Sequence, residues 1–94
     1  MTESLFKEYE VIIREILNNG NVVFPSNAKE RMGTRGYTTH DVFHILNNGC
    51  VENVTNKGKD KCICKVHGND IEGDEGDIVI ELIKKIKIII ITVM

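Results

Sequence analysis

The sequence has no tryptophan, one proline and few aromatic residues, namely three phenylalanines and two tyrosines. The hydrophobic core must therefore be aliphatic, with isoleucine as its main component. The chain also lacks a long apolar run, because Ile86 to Met94 is interrupted by Lys87 and is too short to span a bilayer. Its N-terminus carries no charged and then apolar signal sequence. These absences predict a soluble cytoplasmic protein without membrane contact.

Cysteine is scarce, with three residues, an odd number whose spacing does not match a disulfide framework. Cys62 and Cys64 alternate with Ile63 and therefore share one face of a predicted strand, which favours reduced, partly buried thiols. A zinc site would need Cys50 and His67 as further ligands, but His67 falls on the opposite face. We therefore expect neither a metal nor another cofactor.

Length and charge patterning bound the possible functions. Ninety-four residues fit a single domain, 1–94, and the 28% of charged residues is ordinary for a folded protein. Residues 21–67 carry seven lysines and arginines against four acids, whereas residues 68–77 carry five acids and no base. A basic middle segment of this kind allows contact with nucleic acid through one face.

Three amphipathic segments predict helices in the first half of the chain. The first covers residues 4–18, with Ser4 as its N-cap and Gly20 as a left-handed C-cap. The second runs from a Ser26 cap to about Thr34. The third follows a capping box formed by Thr38 and Asp41 and reaches about Leu46.

From residue 50 the hydrophobic period changes to two, which predicts strands. We expect strands at 50–54, 61–67, 78–83 and 86–93, with turns at residues 56–58 and 84–85 and a loop at 68–76. The last strand is apolar on both faces and should be central or covered. The predicted fold is α+β, with two to three N-terminal helices packed on a roughly four-stranded antiparallel sheet.

Two patterns are similar to metal-binding motifs but have simpler interpretations. His40 and His44 lie one helical turn apart, the spacing of a helical zinc pair, yet no third ligand follows them. Asp70 to Glu81 has the span of an EF-hand loop, but Glu75 occupies the required glycine position. Surface histidines and a solvated acidic loop are therefore expected.

Four basic side chains, from one predicted helix and one predicted strand, are the best candidates for a catalytic function. Arg31 and Arg35 are four residues apart on the second helix, and Lys65 and His67 share one face of a strand. RNA cleavage needs proton transfer, which Lys65 or His67 can perform, and charge stabilisation at phosphorus, which Arg31 or Arg35 can provide. Lys29 and Lys61 are candidate RNA-binding residues. Ordinary lysines on a solvent-exposed sheet face remain the alternative.

The segment from Asn27 to Val42 resembles a family of small bacterial domains, with Arg31, then Arg35-Gly36, a threonine, and Asp41-Val42 opening a helix. Further matches are Gly49 before an extended valine, Lys65 to Gly68 leading into Glu72-Gly73, and Ile89 to Val93. The resemblance covers about residues 20–93. These domains are similar to the RelE/MqsR toxins, which pack N-terminal helices on a curved antiparallel sheet.

The resemblance implies the toxin of a bacterial toxin–antitoxin system, a metal-independent endoribonuclease that acts on messenger RNA, free or ribosome-bound. Its catalytic residues would be Arg31, Arg35, Lys65 and His67, and its protein partner a cognate antitoxin. A second hypothesis is a non-enzymatic interaction protein, such as a phage or mobile-element inhibitor that docks on a host protein through its acidic loop. Charge reversal at Asp74 and Glu75 would disrupt that docking.

Overall fold

Three helices pack with a five-stranded mixed sheet in the computed structural model, which describes residues 6–94. The predicted α+β class is confirmed. The elements in chain order are α1 (Lys7–Asn19), β1 (Val22–Val23), α2 (Ser26–Arg35), α3 (Thr39–Asn48), β2 (Cys50–Gly58), β3 (Lys61–Asn69), β4 (Glu75–Ile83) and β5 (Lys87–Val93).

The helix ends follow from local chemistry, with two departures from prediction. Gly20 and Gly36 end α1 and α2 with φ of 73°, the left-handed conformation that glycine adopts without strain. Helix α1 begins at Lys7, and the predicted cap Ser4 lies outside the described residues. Ser26 is the first residue of α2 and not its cap, because Pro25 takes the capping position with its restricted φ.

The sheet has the order β1-β5-β4-β3-β2. Strands β2 to β5 form the expected antiparallel meander, but β1 adds a fifth strand that pairs in parallel with β5 through Val22–Ile88 and Val23–Ile89. The two residues of β1 partly cover the β5 edge, so the apolar last strand lies inside the sheet there. Strand β2 continues through the predicted turn to Gly58.

One hydrophobic core lies between the helices and one face of the sheet. Its buried side chains come from α1, α2 and α3 and from alternate residues of β2 to β5. Helix α2 contributes Ala28 and Met32, which lie one helical turn apart, and packs on β5. Because residues alternate along each strand, the intervening side chains point to the other face, which no helix of the described chain covers.

Candidate functional site

The helix-free face of the sheet carries a cluster of ionisable side chains at its β2–β3–β4 end. Cys64 and Val66 are buried in the core, so their neighbours Lys65 and His67 point to the opposite face. The β3–β4 register sets His67 directly opposite Asp77, and two residue pairs further on, Asn69 lies opposite Glu75. Strand pairing therefore brings two carboxylates beside the imidazole.

His67 bonds to both of these carboxylates. Its Nδ1 lies 2.7 Å from Asp77 Oδ1 and its Nε2 lies 2.9 Å from Glu75 Oε1. A carboxylate can only accept a hydrogen bond, so both ring nitrogens donate when the imidazole is protonated. The His67 side chain keeps 36% of its surface exposed, which leaves the ring accessible to solvent.

The pKa of His67 is raised above its usual value of 6.5. The hydrogen bond to Asp77 is the main cause and the bond to Glu75 the next, and the charges of Asp77 and Glu52 act in the same direction. Partial desolvation opposes this shift only in part. The surroundings therefore favour the imidazolium form of His67.

A β-bulge in β2 adds a third carboxylate to the cluster. Residues 52 and 53 together oppose the single residue Lys65, and the carboxylate of Glu52 lies within 4.8 Å of ligand atoms of both His67 and Asp77. Next to the bulge, the Val51 N–H donates to Glu10 Oε2 at 2.9 Å. The buried carboxylate of α1 thereby fixes the strand segment that presents Glu52.

Lys65 completes the cluster. Its Nζ lies 3.7 Å from Asp77 Oδ2, and its side chain keeps 40% of its surface exposed. Asp77 thus holds both predicted catalytic groups of β3, one on each carboxylate oxygen. The cluster thus combines a proton donor, the His67 imidazolium, with carboxylates that can accept a proton and with the positive charge of Lys65.

The structure does not bring Arg31 and Arg35 into this cluster. Arg31 is exposed on α2 and lines a shallow cavity with Ile91 and Thr92 of β5, two strands away from β3. The Arg35 guanidinium lies 5.7 Å from the ring centre of Tyr37. Tyr37 lies against Gly76, which neighbours Asp77, the strand partner of His67. Arg35 is therefore near the same end of the sheet as His67, but on the side that the helices cover.

The two candidate RNA-binding lysines are also separate from the cluster. Lys29 is exposed on α2. Lys61 begins β3, six residues from His67, or about 20 Å along an extended strand. It borders a cavity of about 350 Å³ whose rim also includes Lys84 and Lys85. A basic rim therefore lies at the opposite end of the sheet from His67.

The other patterns singled out from the sequence have structural roles. His44 Nδ1 lies 2.7 Å from the carbonyl oxygen of Asn69, and His40 is exposed on α3. The buried Asp70 accepts the N–H groups of Glu72 and Asp74 at 2.9 Å and so orders the acidic loop from within. Cys64 is fully buried and Cys62 packs against the core, as predicted.

The sequence pattern placed Lys65 and His67 on one face of a strand, as in the structure, but the carboxylates beside them were missed. Extending the period-two pattern backwards from Ile78 would have placed Asp77 and Glu75 on the outer face of β4. Only strand register, however, could have paired them with His67. Glu52 carried no comparable signal, because a bulge is not visible in a single sequence.

Comparison of the chain with protein-family models, with curated proteins and with solved structures finds no match. Among residues 6–94, no helix has the length and apolar character needed to cross a membrane.

Proposed function

We propose that this protein is a cytoplasmic toxin of a toxin–antitoxin system, a metal-independent endoribonuclease that cleaves messenger RNA at the His67 cluster. The observation that carries the proposal is the position of His67, between two carboxylates and beside a lysine on an accessible sheet face. The sequence resemblance to the RelE/MqsR toxins supports the same class. The cognate antitoxin would be its protein partner.

The cluster contains the groups that RNA cleavage by transesterification requires. Glu52 takes the proton of a ribose 2′-hydroxyl, whose oxygen forms a new bond to phosphorus. Protonated His67 gives its Nε2 proton to the departing 5′-oxygen as the P–O5′ bond breaks. Lys65 stabilises the negative charge that develops on the phosphoryl oxygens. The products are a 2′,3′-cyclic phosphate and a 5′-hydroxyl.

The remaining residues support this reaction without touching the reacting atoms. Asp77 orients the imidazole through its bond to Nδ1. The leaving oxygen replaces Glu75 Oε1 at Nε2 when RNA binds. Arg31, Arg35, Lys29 and Lys61 lie outside the cluster and are proposed to contact the RNA backbone, where cations position a strand without reading its sequence.

The decisive experiment incubates purified protein with a messenger RNA fragment in buffer containing EDTA. The wild type should cleave the RNA and leave cyclic phosphate ends. His67→Asn should reduce the rate by about 100-fold or more, the usual contribution of a proton-transfer group. His40→Asn, which changes an exposed histidine on α3, is the matched control and should retain full activity.

Expression in a bacterial host tests the biological role. The wild type should arrest growth with rapid loss of messenger RNA, whereas the His67→Asn protein should not. Purified wild type that leaves RNA intact, together with normal growth, would overturn the ribonuclease proposal. That outcome would favour the non-enzymatic interaction protein, whose docking would be sensitive to charge reversal at Asp74 and Glu75.

A further inference from the structure

Three adjacent strands present ligand atoms to one point on the helix-free face. Glu52 comes from β2, His67 from β3 and Asp77 from β4, and one potential ligand atom of each lies within 4.8 Å of the other two. Ligands bound at about 2.1 Å to one ion lie at most about 4.2 Å apart. Small side-chain rotations are therefore sufficient to bring all three atoms onto a single cation.

The scaffold keeps these side chains in place. His67 and Asp77 are directly paired residues of neighbouring strands, and the Glu52 bulge is tied to α1 through Glu10. The β-carbons of directly paired residues lie about 4.5–5.5 Å apart. Sites built on strands in this way are more rigid than sites built on loops.

An outer carboxylate is already in position to orient the histidine. If Nδ1 of His67 binds an ion together with Asp77 and Glu52, its Nε2–H remains bonded to Glu75 Oε1, which lies 2.9 Å away. In histidines that bind metals, the N–H of the second ring nitrogen usually donates a hydrogen bond to a carboxylate or a carbonyl oxygen. Glu75 is thus positioned to accept this hydrogen bond and to orient the His67 ring.

The ligand chemistry selects the class of cation. One imidazole nitrogen with two carboxylates suits Zn²⁺, Co²⁺ or Mn²⁺, whereas Mg²⁺ prefers oxygen ligands alone. Among these three ions, Co²⁺ gives visible absorption when bound and is therefore the convenient probe.

We propose that Glu52, His67 and Asp77 form a binding site for one divalent transition-metal ion, with Glu75 orienting the histidine. The positive ion offsets the mutual repulsion of three neighbouring carboxylates. It also occupies the imidazole that the proposed ribonuclease uses for proton transfer, so the metal-bound protein is an inactive form of that enzyme. Only this last consequence depends on the proposed function.

Titration of the purified, chelator-free full chain with Co²⁺ tests the site, by calorimetry and by the visible absorption of bound cobalt. The wild type should bind one ion per chain, and Zn²⁺ should displace it. His67→Gln and Asp77→Asn should each weaken binding by at least about tenfold, because loss of even an outer partner of a metal ligand typically costs about 10–100-fold in affinity. Mg²⁺ at the same concentration should give no heat of binding.

The matched control is His40→Gln, which breaks up the histidine pair on α3 at His40 and leaves the His44–Asn69 bond in place. It should bind cobalt as the wild type does. The proposal would be overturned if the control variant lost cobalt binding while His67→Gln kept it. It would also be overturned if the wild type did not bind one cobalt ion per chain. Circular dichroism of each variant verifies folding. Binding is measured without RNA and cleavage is measured in EDTA, so either proposal can fail alone.

Discussion

A β-carbon at position 49 would lie 2.5 Å from the backbone oxygens of His67 and Ile45. Gly49 ends α3 in an extended conformation, so the need for glycine here arises from close approach and not from an unusual φ. Gly68 makes the reciprocal contact, since its added β-carbon would meet the Gly49 Cα at 2.9 Å. The two glycines allow the junction of α3 and β2 to pack directly against the backbone that carries His67.

Alanine should have opposite effects at Gly49, which is crowded by backbone, and at Gly33, which is not. Gly49→Ala should lower the free energy of unfolding by about 2 kcal/mol, because backbone atoms must move to relieve the overlap. Gly33 lies in the exposed part of α2 with open space around it. Gly33→Ala should raise stability by about 0.5–1 kcal/mol through reduced chain entropy. Urea denaturation measures both, and equal effects would contradict the packing argument.

Helix α3 shows how an element combines local and long-range contacts. The Thr38 hydroxyl accepts the Asp41 N–H at 3.2 Å, and Asp41 Oδ2 accepts the Thr38 N–H at 2.9 Å, which completes the predicted capping box. Asp41 Oδ1 also accepts the N–H of Ile71 at 3.4 Å. The same cap thus starts the helix and ties it to the loop between β3 and β4.

Thr38→Ala should destabilise the protein by about 1 kcal/mol, the usual cost of a lost N-cap. Thr39→Ala, which changes the exposed first residue of the helix, is the control and should be nearly neutral. Denaturation of the two variants in parallel measures the difference. Equal stability of the two variants would show that the cap contributes little.

The capping box should also depend on pH. The backbone bond from Thr38 is the main reason why the pKa of Asp41 lies below its usual 3.8. A carboxyl with a lowered folded-state pKa stabilises the fold above the unfolded-state value and loses this contribution as the pH falls through the folded-state value. The stability difference between wild type and Asp41→Asn should therefore shrink below about pH 4.

At the scale of the whole molecule, the three cysteines differ in accessibility because the sheet has one covered face. Cys64 is fully buried in the core, and burial raises its pKa to about 12, with Cys62 adding to the shift. Cys50 is exposed on the other face of the sheet. Only a thiolate reacts readily with alkylating reagents, so the fold itself protects Cys64.

Iodoacetamide should therefore modify Cys50 in the native protein and reach Cys64 only when the molecule unfolds. Mass spectrometry of digested samples measures both rates. Raising urea should accelerate the labelling of Cys64 in proportion to the unfolded population and change that of Cys50 little. If Cys64 of the native protein were labelled as fast as Cys50, the burial of the Cys64 thiol in the core would be contradicted.

Local sequence features determined the class of fold and most of its elements. Helical periodicity, the glycine ends of α1 and α2 and the Thr38–Asp41 box depend on residues within one or two turns, so a single sequence reveals them. Alternation along β3 likewise predicted which side chains enter the core and placed Lys65 and His67 on the other face.

Tertiary structure alone decided which groups meet. Strand register determines the parallel pairing of β1 with β5 and the carboxylates that surround His67. The docking of α2 on β5 separates Arg31 and Arg35 from Lys65. These contacts join residues far apart in the chain. Packing of the whole core selects them, because a register or docking choice moves many side chains at once, whereas local patterns act only between near neighbours.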